Sequence, residues 1–177
     1  GESESAAESF SNLLSTLDKG NDLPTKLQFL EQFSSAVEML DQPELQAMSS
    51  LRLGIAYREA NRPERAAEVF QRSRRQFADL AMARQEAESL LQLGLTYLEI
   101  GSLSASARAL EESWSVAVNV GETALASNSL DHLSVAVEEM GAPETTEELS
   151  QRIVDVSLRY DQDELAAGWM VRVGRGY

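Results

Sequence analysis

Residues 53–57 are LGIAY and residues 93–97 are LGLTY, so leucine, glycine and tyrosine recur with one spacing, 40 residues apart. Self-similarity at a fixed period indicates a repeat architecture. Steps of the same period from Gly54 reach Leu14, Gly94, Ser134 and Gly174. The residue before each of them is aliphatic. The two pentapeptides are therefore copies of a unit that recurs along the chain.

The copies also share their turns. Positions 14, 54, 94 and 134 are each followed, seven residues later, by Asn or Gly. These residues are Asn21, Asn61, Gly101 and Gly141. Asn and Gly tolerate the left-handed backbone that ends a helix, so the first helix of each unit is predicted to stop there. Pro63 and Pro143 are placed to open a second helix, and Glu64 and Glu144 favour its positive end. Each unit is therefore predicted to be a helical hairpin.

The spacing that two of the units share is typical of one class of hairpin. The two well-formed copies contain Leu53, Gly54, Tyr57, Ala66 and Phe70, and Leu93, Gly94, Tyr97, Ser106 and Leu110. This pattern resembles the tetratricopeptide (TPR) repeat, in which glycine lets the second helix approach the first and tyrosine fills the gap one turn later. HEAT-type repeats share a period of about 40 residues, but the Leu-Gly-x-x-Tyr spacing favours the TPR.

The sequence departs from the common TPR in two ways. The usual unit has about 34 residues, and the longer unit here resembles the variety found in kinesin light chains, spindle-orientation adaptors and some bacterial signalling regulators. The third copy has Ser134, Val137, Thr146 and Ser150 where the signature has Gly, Tyr, Ala and Phe. Its assignment depends on the period and on Gly141.

The resemblance implies an all-α fold, a right-handed α-solenoid of stacked antiparallel helical hairpins. A single array is expected over residues 10–177, after a frayed segment at 1–9. Its units are predicted at about 10–40, 44–80, 84–120 and 124–160, with a truncated first helix at 164–177. The chain starts with Gly1, so we expect a fragment of a longer protein preceded by a residue left from expression.

Composition limits the class of function. A content of 43% hydrophobic residues indicates a folded chain. No apolar run approaches the roughly 18 residues that span a bilayer, and the start lacks the features of a signal peptide. The sequence has no cysteine, which excludes disulfides and thiolate metal sites and fits a reducing compartment. A cytoplasmic location is therefore predicted.

Catalytic motifs are missing from the sequence. His132 is the only histidine, and no P-loop, GxGxxG or HExxH pattern occurs. The acidic pairs Glu111–Glu112, Glu138–Glu139 and Glu147–Glu148 are adjacent in sequence, so their side chains diverge by about 100° on a helix and form no paired carboxylates. The sequence predicts no enzyme, no cofactor and no metal.

Binding is better supported, because the helix that contains LLQLGLTYLEI, residues 90–100, is apolar on every side. Leu91, Leu95 and Leu98 are expected to point away from its packing face. The TPR resemblance implies that first helices line a concave groove for a partner. The implied lining residues are Met48, Leu51, Ile55, Arg58, Glu59, Glu88, Leu91, Leu95, Leu98, Glu99, Asn128, Asp131, Val135, Glu138 and Glu139. The alternative is that the twist of the array, or the end of the chain, covers these leucines.

The charge distribution selects among partners. The net charge is −14, with an excess of basic residues only at positions 52–84. An acidic chain repels nucleic acid and anionic membrane surfaces, so neither is expected as a partner. A protein with a basic or amphipathic segment is preferred. The basic exception is either a dock for an acidic segment or a solvated face with intrahelical Glu partners, and it comprises Arg58, Arg62, Arg65, Arg72, Arg74, Arg75 and Arg84.

Three functional hypotheses follow. The first is a non-enzymatic adaptor that binds a peptide or amphipathic helix of a partner in the groove. The second is a sensor array of a larger signalling protein that switches when it binds a small effector or short peptide. The third is an architectural array that self-associates through its ends, near Trp169 and Tyr177.

Overall fold

The computed structural model describes Asn12 and residues 23–141, 147–151, 153–154 and 163–173. Its helices are α1 (Leu23–Val37), α2 (Pro43–Glu59), α3 (Pro63–Asp79), α4 (Ala83–Glu99), α5 (Leu103–Asn119), α6 (Thr123–Met140) and α7 (Asp163–Val173). Residues 147–151 and 153–154 are also helical. The described part of the chain contains no strand, and none of its helices has the length and apolar character needed to cross a membrane.

The chain forms two compact units, Gly1–Met82 and Ala83–Tyr177. In unit 1, α2 packs against both α1 and α3. In unit 2, α5 packs between α4 and α6, α4 also contacts α6, and α7 packs on α6. Within each unit, the connections between consecutive helices up to α6 have only three to five residues, so these neighbours run antiparallel, as in helical hairpins. The residues predicted to be frayed lie outside the described part of the chain.

The turn chemistry predicted from the sequence is confirmed where it is described. Asn61, Gly101 and Gly141 each have a positive φ, of 54°, 77° and 61°. Pro63 lies in the first turn of α3 together with Glu64. The second helices end in the same way, with φ of 54° at Ala81 and 75° at Gly121. Asn21, Pro143 and Glu144 lie outside the described residues.

The role of the repeat glycines is steric. A Cβ atom on Gly54 would lie 2.6 Å from Cε1 of Phe70, and one on Gly94 would lie 2.5 Å from Cγ of Leu110. Such contacts are too short, so glycine permits α3 and α5 to approach the helices before them. The third copy has a larger residue, Ser134, at this place, and it has the smaller Ser150 where the first two copies have Phe70 and Leu110. The degenerate copy therefore compensates in size.

The repeat tyrosine joins three helices in unit 1. Tyr57 is buried on α2, and its hydroxyl donates a hydrogen bond of 2.9 Å to Oε1 of Glu31 on α1. The guanidinium of Arg65 on α3 lies 5.8 Å from the centre of the Tyr57 ring, within cation–π range. Burial raises the pKa of the Tyr57 phenol, and the hydrogen bond to Glu31 raises it further, while Arg65 opposes the rise.

This pKa shift predicts an alkaline loss of stability. A raised pKa in the folded state means that Tyr57 contributes stability below its unfolded pKa, near 10, and that this stability is lost as the pH rises through the folded pKa. We expect the urea midpoint of the parent chain to fall more steeply above about pH 10 than that of Tyr57→Phe. At pH 7 the free energy of unfolding of Tyr57→Phe should be lower by about 0.5–1.5 kcal/mol, because the hydrogen bond to Glu31 is lost. Parallel midpoints at alkaline pH would contradict this assignment.

Candidate partner-binding surface

The predicted lining residues of unit 2 lie on two neighbouring helices, α4 and α6. On α4, Glu88 is half-buried and Glu99 is exposed. Leu95 and Leu98 are also half-buried, and they pack against the core cluster of the unit. These two leucines therefore offer part of their surface while the rest contributes to the core.

The expectation that Leu91 points away from the packing face is wrong. Leu91 is only 3% exposed and belongs to the same buried cluster as Leu130 and Trp114. The physical reason is that α4 has two neighbours, α5 and α6, and a helix packed on two sides buries a wider stripe than a simple hairpin does. Leu95 and Leu98, which were expected to lie outside the packing of the repeat, contact that cluster as well.

The face of α6 is open. Val135 is 41% exposed, and Asn128, Asp131, Glu138 and Glu139 are exposed around it. Four of these five residues recur at spacings of three or four, which places them along one side of the helix. On this side of α6, the apolar Val135 lies among polar and acidic residues. We call the five residues the α6 strip (Asn128, Asp131, Val135, Glu138 and Glu139).

The predicted lining residues of unit 1 are less accessible. Met48, Ile55 and Arg58 are half-buried, and Leu51 is only 4% exposed. Glu59 is exposed, and its Oε2 lies 3.0 Å from Nζ of Lys26 on α1 in an ion pair. Leu51 therefore belongs to the protein interior and offers no surface to a partner.

Three arginines of residues 58–84 contact residues outside their own helices. Nη1 of Arg72 on α3 lies 2.7 Å from Oε1 of Glu38, just after α1. Arg65 covers the Tyr57 ring of α2. Within unit 2, Nε of Arg84 lies 3.3 Å from Oε1 of Glu122. The sequence left open a dock for an acidic segment and a solvated face with intrahelical Glu partners. The contacts of these three arginines join separate segments and are not intrahelical.

The sequence analysis did not predict several exposed apolar residues. They are Met39 at 87% exposure, Met170 at 57%, Val171 at 53%, Leu40 at 48%, Val120 at 45% and Ile100 at 37%. Most of them are next to helix ends, where a residue gains few neighbours and where hydrophobic periodicity gives no signal. Trp169, suggested as an exposed end residue, is instead fully buried and donates a hydrogen bond of 2.9 Å to Oγ of Ser150. Tyr177 lies outside the described residues.

The electrostatics of unit 2 favour cationic ligands. Residues 83–177 carry 16 acidic and 6 basic residues, compared with 13 and 9 in residues 1–82. His132, beside the α6 strip, is half-buried. In the part of the chain that the structure describes, no three His, Asp or Glu side chains converge in the manner of a metal site. The excess of carboxylates in unit 2 can attract positive charge.

No family model and no curated protein matches the sequence. Solved structures do match. Nearly identical TPR-like repeats of a Podosopora anserina protein described as a kinesin light chain align with 98% of this chain and 86% of their own length, at 17% identity and a TM-score of 0.70. A variant of those repeats gives 17% identity, a TM-score of 0.71 and coverage of 98% and 85%.

A third solved structure is also similar. BtubC (BKLC) from P. vanneervenii aligns with 98% of this chain and 79% of its own length, at 14% identity and a TM-score of 0.61. Identities this low establish the fold alone. The helices, the repeat glycines and these neighbours together show that the chain is an all-α helical-repeat protein with the TPR-like solenoid fold.

Proposed function

We propose that the chain is a non-enzymatic interaction module, and that the α4 and α6 face of unit 2 binds a basic, amphipathic helix or peptide of a partner protein. One observation carries the proposal: Val135 is exposed in the middle of the α6 strip, where carboxylates surround it. The TPR-like fold supports the general class, because such repeats serve as protein-interaction scaffolds. A cytoplasmic location is part of the proposal and is supported by the lack of cysteine.

The apolar part of the surface would supply most of the affinity. Val135 on α6 and the accessible parts of Leu95 and Leu98 on α4 would receive the apolar side of an amphipathic helix. Each exposed ion pair contributes only about 0.2–1 kcal/mol, so Glu138 and Glu139 would mainly select a cationic partner and speed its approach. A surface with few deep anchors predicts a dissociation constant on the order of micromolar.

The proposal predicts binding of a defined probe. The probe is a synthetic amphipathic helical peptide of about 20 residues with Leu on one face and Lys on the other. The parent chain should bind it saturably, and Val135→Glu should weaken binding by about tenfold or more because it places a charge in the apolar contact. Fluorescence anisotropy with a labelled peptide measures both constants.

Matched controls separate this face from general attraction between charges. Glu112 is exposed on α5, so Glu112→Lys changes the net charge by the same amount as Glu138→Lys but at another place on unit 2. We expect Glu138→Lys to weaken binding several-fold more than Glu112→Lys does, and we expect salt to weaken binding of the parent chain. Equal effects of the two reversals, or equal affinity for a peptide with Glu in place of Lys, would refute the proposed surface.

A further inference from the structure

One buried hydroxyl group in unit 2 connects three helices. Ser113 on α5 has no exposed surface, and its Oγ lies 2.7 Å from the carbonyl oxygen of Ala87 on α4. The same Oγ lies 2.8 Å from Oγ of Ser129 on α6, which is equally buried. Ser113 therefore touches a polar group on the helix before it and on the helix after it.

The two hydroxyl groups share their hydrogen bonds with backbone carbonyls. Oγ of Ser129 also lies 2.9 Å from the carbonyl oxygen of Leu125 in its own helix. The two serines have two hydroxyl protons for three oxygen contacts, and water cannot replace the contact between Ser113 and Ser129 where neither residue is exposed. Loss of one serine therefore removes this contact and leaves the other hydroxyl with its backbone carbonyl.

The residues one repeat period after the two serines are apolar. Ile153 follows Ser113 by 40 residues, and Trp169 follows Ser129 by the same distance. Both are fully buried in the core cluster of unit 2. The indole N–H of Trp169 donates to Ser150, so this pair needs no polar partner from Ile153. Both members of the pair have changed together, from polar and small to apolar and large.

This joint change makes the two steps incompatible. A hairpin that brought Ser113 against Trp169 would lack space for the indole, and a hairpin that brought Ile153 against Ser129 would leave a hydroxyl beside an apolar side chain. Stacked repeats with similar hairpins are prone to pair out of order, within one chain or between copies. Buried polar contacts are one known means of fixing register.

We infer that residues 113/129 and 153/169 are pairing keys, which distinguish the packing of α5 on α6 from the packing of the helical residues 147–151 and 153–154 on α7. The inference concerns assembly of the array and is independent of the proposed partner surface. The serine pair recurs in the sequence one period earlier, as Ser73 and Ser89. In unit 1, Oγ of Ser73 donates to the carbonyl oxygen of Ala47 at 3.2 Å. The period that defines the fold thus also positions the keys.

A double-mutant cycle tests the serine key. Ser113→Ala and Ser129→Ala should each raise the unfolding equilibrium constant of unit 2, by about fivefold to tenfold. The double variant should be about fivefold more stable than the product of the two single effects, because the contact between the two serines is lost only once. Ser115→Ala, at a half-buried position of α5, is the control and should have little effect. Single effects that multiply without coupling would overturn the inference.

Hydrogen exchange supplies a second readout that general destabilisation would not produce. In Ser113→Ala, amides of α4 and α6 that flank the bridge should exchange at least several-fold faster than the fall in global stability explains, while amides of α7 should follow global stability alone. The double Ala variant should restore part of the protection. Acceleration in proportion to global stability at every amide of unit 2 would overturn the pairing role even if the cycle showed coupling.

Discussion

Trp169→Ala is expected to lower the free energy of unfolding of unit 2 by about 3–5 kcal/mol. The side chain is fully buried in the core cluster, and its indole N–H donates to Oγ of Ser150 at 2.9 Å. Truncation therefore removes apolar burial, leaves a cavity and leaves the Ser150 hydroxyl without this donor. Urea denaturation followed by circular dichroism measures the loss, with Trp114 retained as a fluorescent reporter.

The neighbouring residue provides the control for Trp169. Met170 is 57% exposed on the same helix, so Met170→Ala should change stability by no more than about 0.5 kcal/mol. The contrast between two adjacent apolar residues tests the orientation of α7. Equal losses from the two variants would show that α7 is turned differently on α6.

Gly94→Ala is expected to lower the free energy of unfolding of unit 2 by about 1–3 kcal/mol. Alanine favours a helix interior over glycine by about 1 kcal/mol, so a stabilised variant would be expected if the site were open. It is closed, because the new Cβ would lie 2.5 Å from Cγ of Leu110, which is fully buried. Urea midpoints at pH 7 decide between the two signs.

A second substitution tests the cause of the Gly94→Ala effect. Leu110→Ala alone should cost about 2–5 kcal/mol through a cavity. Combined with Gly94→Ala it should cost less than the sum of the two, by about 1 kcal/mol, because the added methyl group gains the space that Leu110 vacated. Additive losses would mean that Gly94 is required for a reason other than its approach to Leu110.

The turns and the hairpin packing could be predicted from the sequence, because both depend on chemistry local to one unit. Asn61, Gly101 and Gly141 supply a left-handed residue, and Gly54 and Gly94 supply space for the facing helix. The 40-residue period made each of these positions visible more than once.

The exposure of particular side chains could not be predicted in the same way. Leu91 is buried because α6, whose residues follow 32–49 positions later, lies beside α4. Trp169 and Met170 are adjacent in sequence and opposite in exposure. The contact of Ser113 with Ser129 was not predicted, because serine is common on protein surfaces. The repeat period does contain serines at the matching positions. Ser73 lies one period before Ser113, and Ser89 and Ser49 lie one and two periods before Ser129.

The α6 strip illustrates what the sequence could indicate about the candidate site. The TPR resemblance implied which residues of α6 line the groove, and the structure exposes Val135 and its acidic neighbours. The same resemblance overestimated the surface offered by α4, where the core takes Leu91 and part of Leu95 and Leu98. The proposed site is therefore narrower and more acidic than the predicted groove.

The most direct test of the proposed binding surface is a map of backbone amide chemical shifts during titration with the Leu/Lys peptide. We expect saturable shifts concentrated in α4 around Leu95 and Leu98 and in α6 around Val135, with the shifts lost in Val135→Glu. Shifts centred on α5 around Arg108 and Glu112, or shifts that rise without saturation and ignore Val135→Glu, would contradict the proposal that the α4 and α6 face binds the partner.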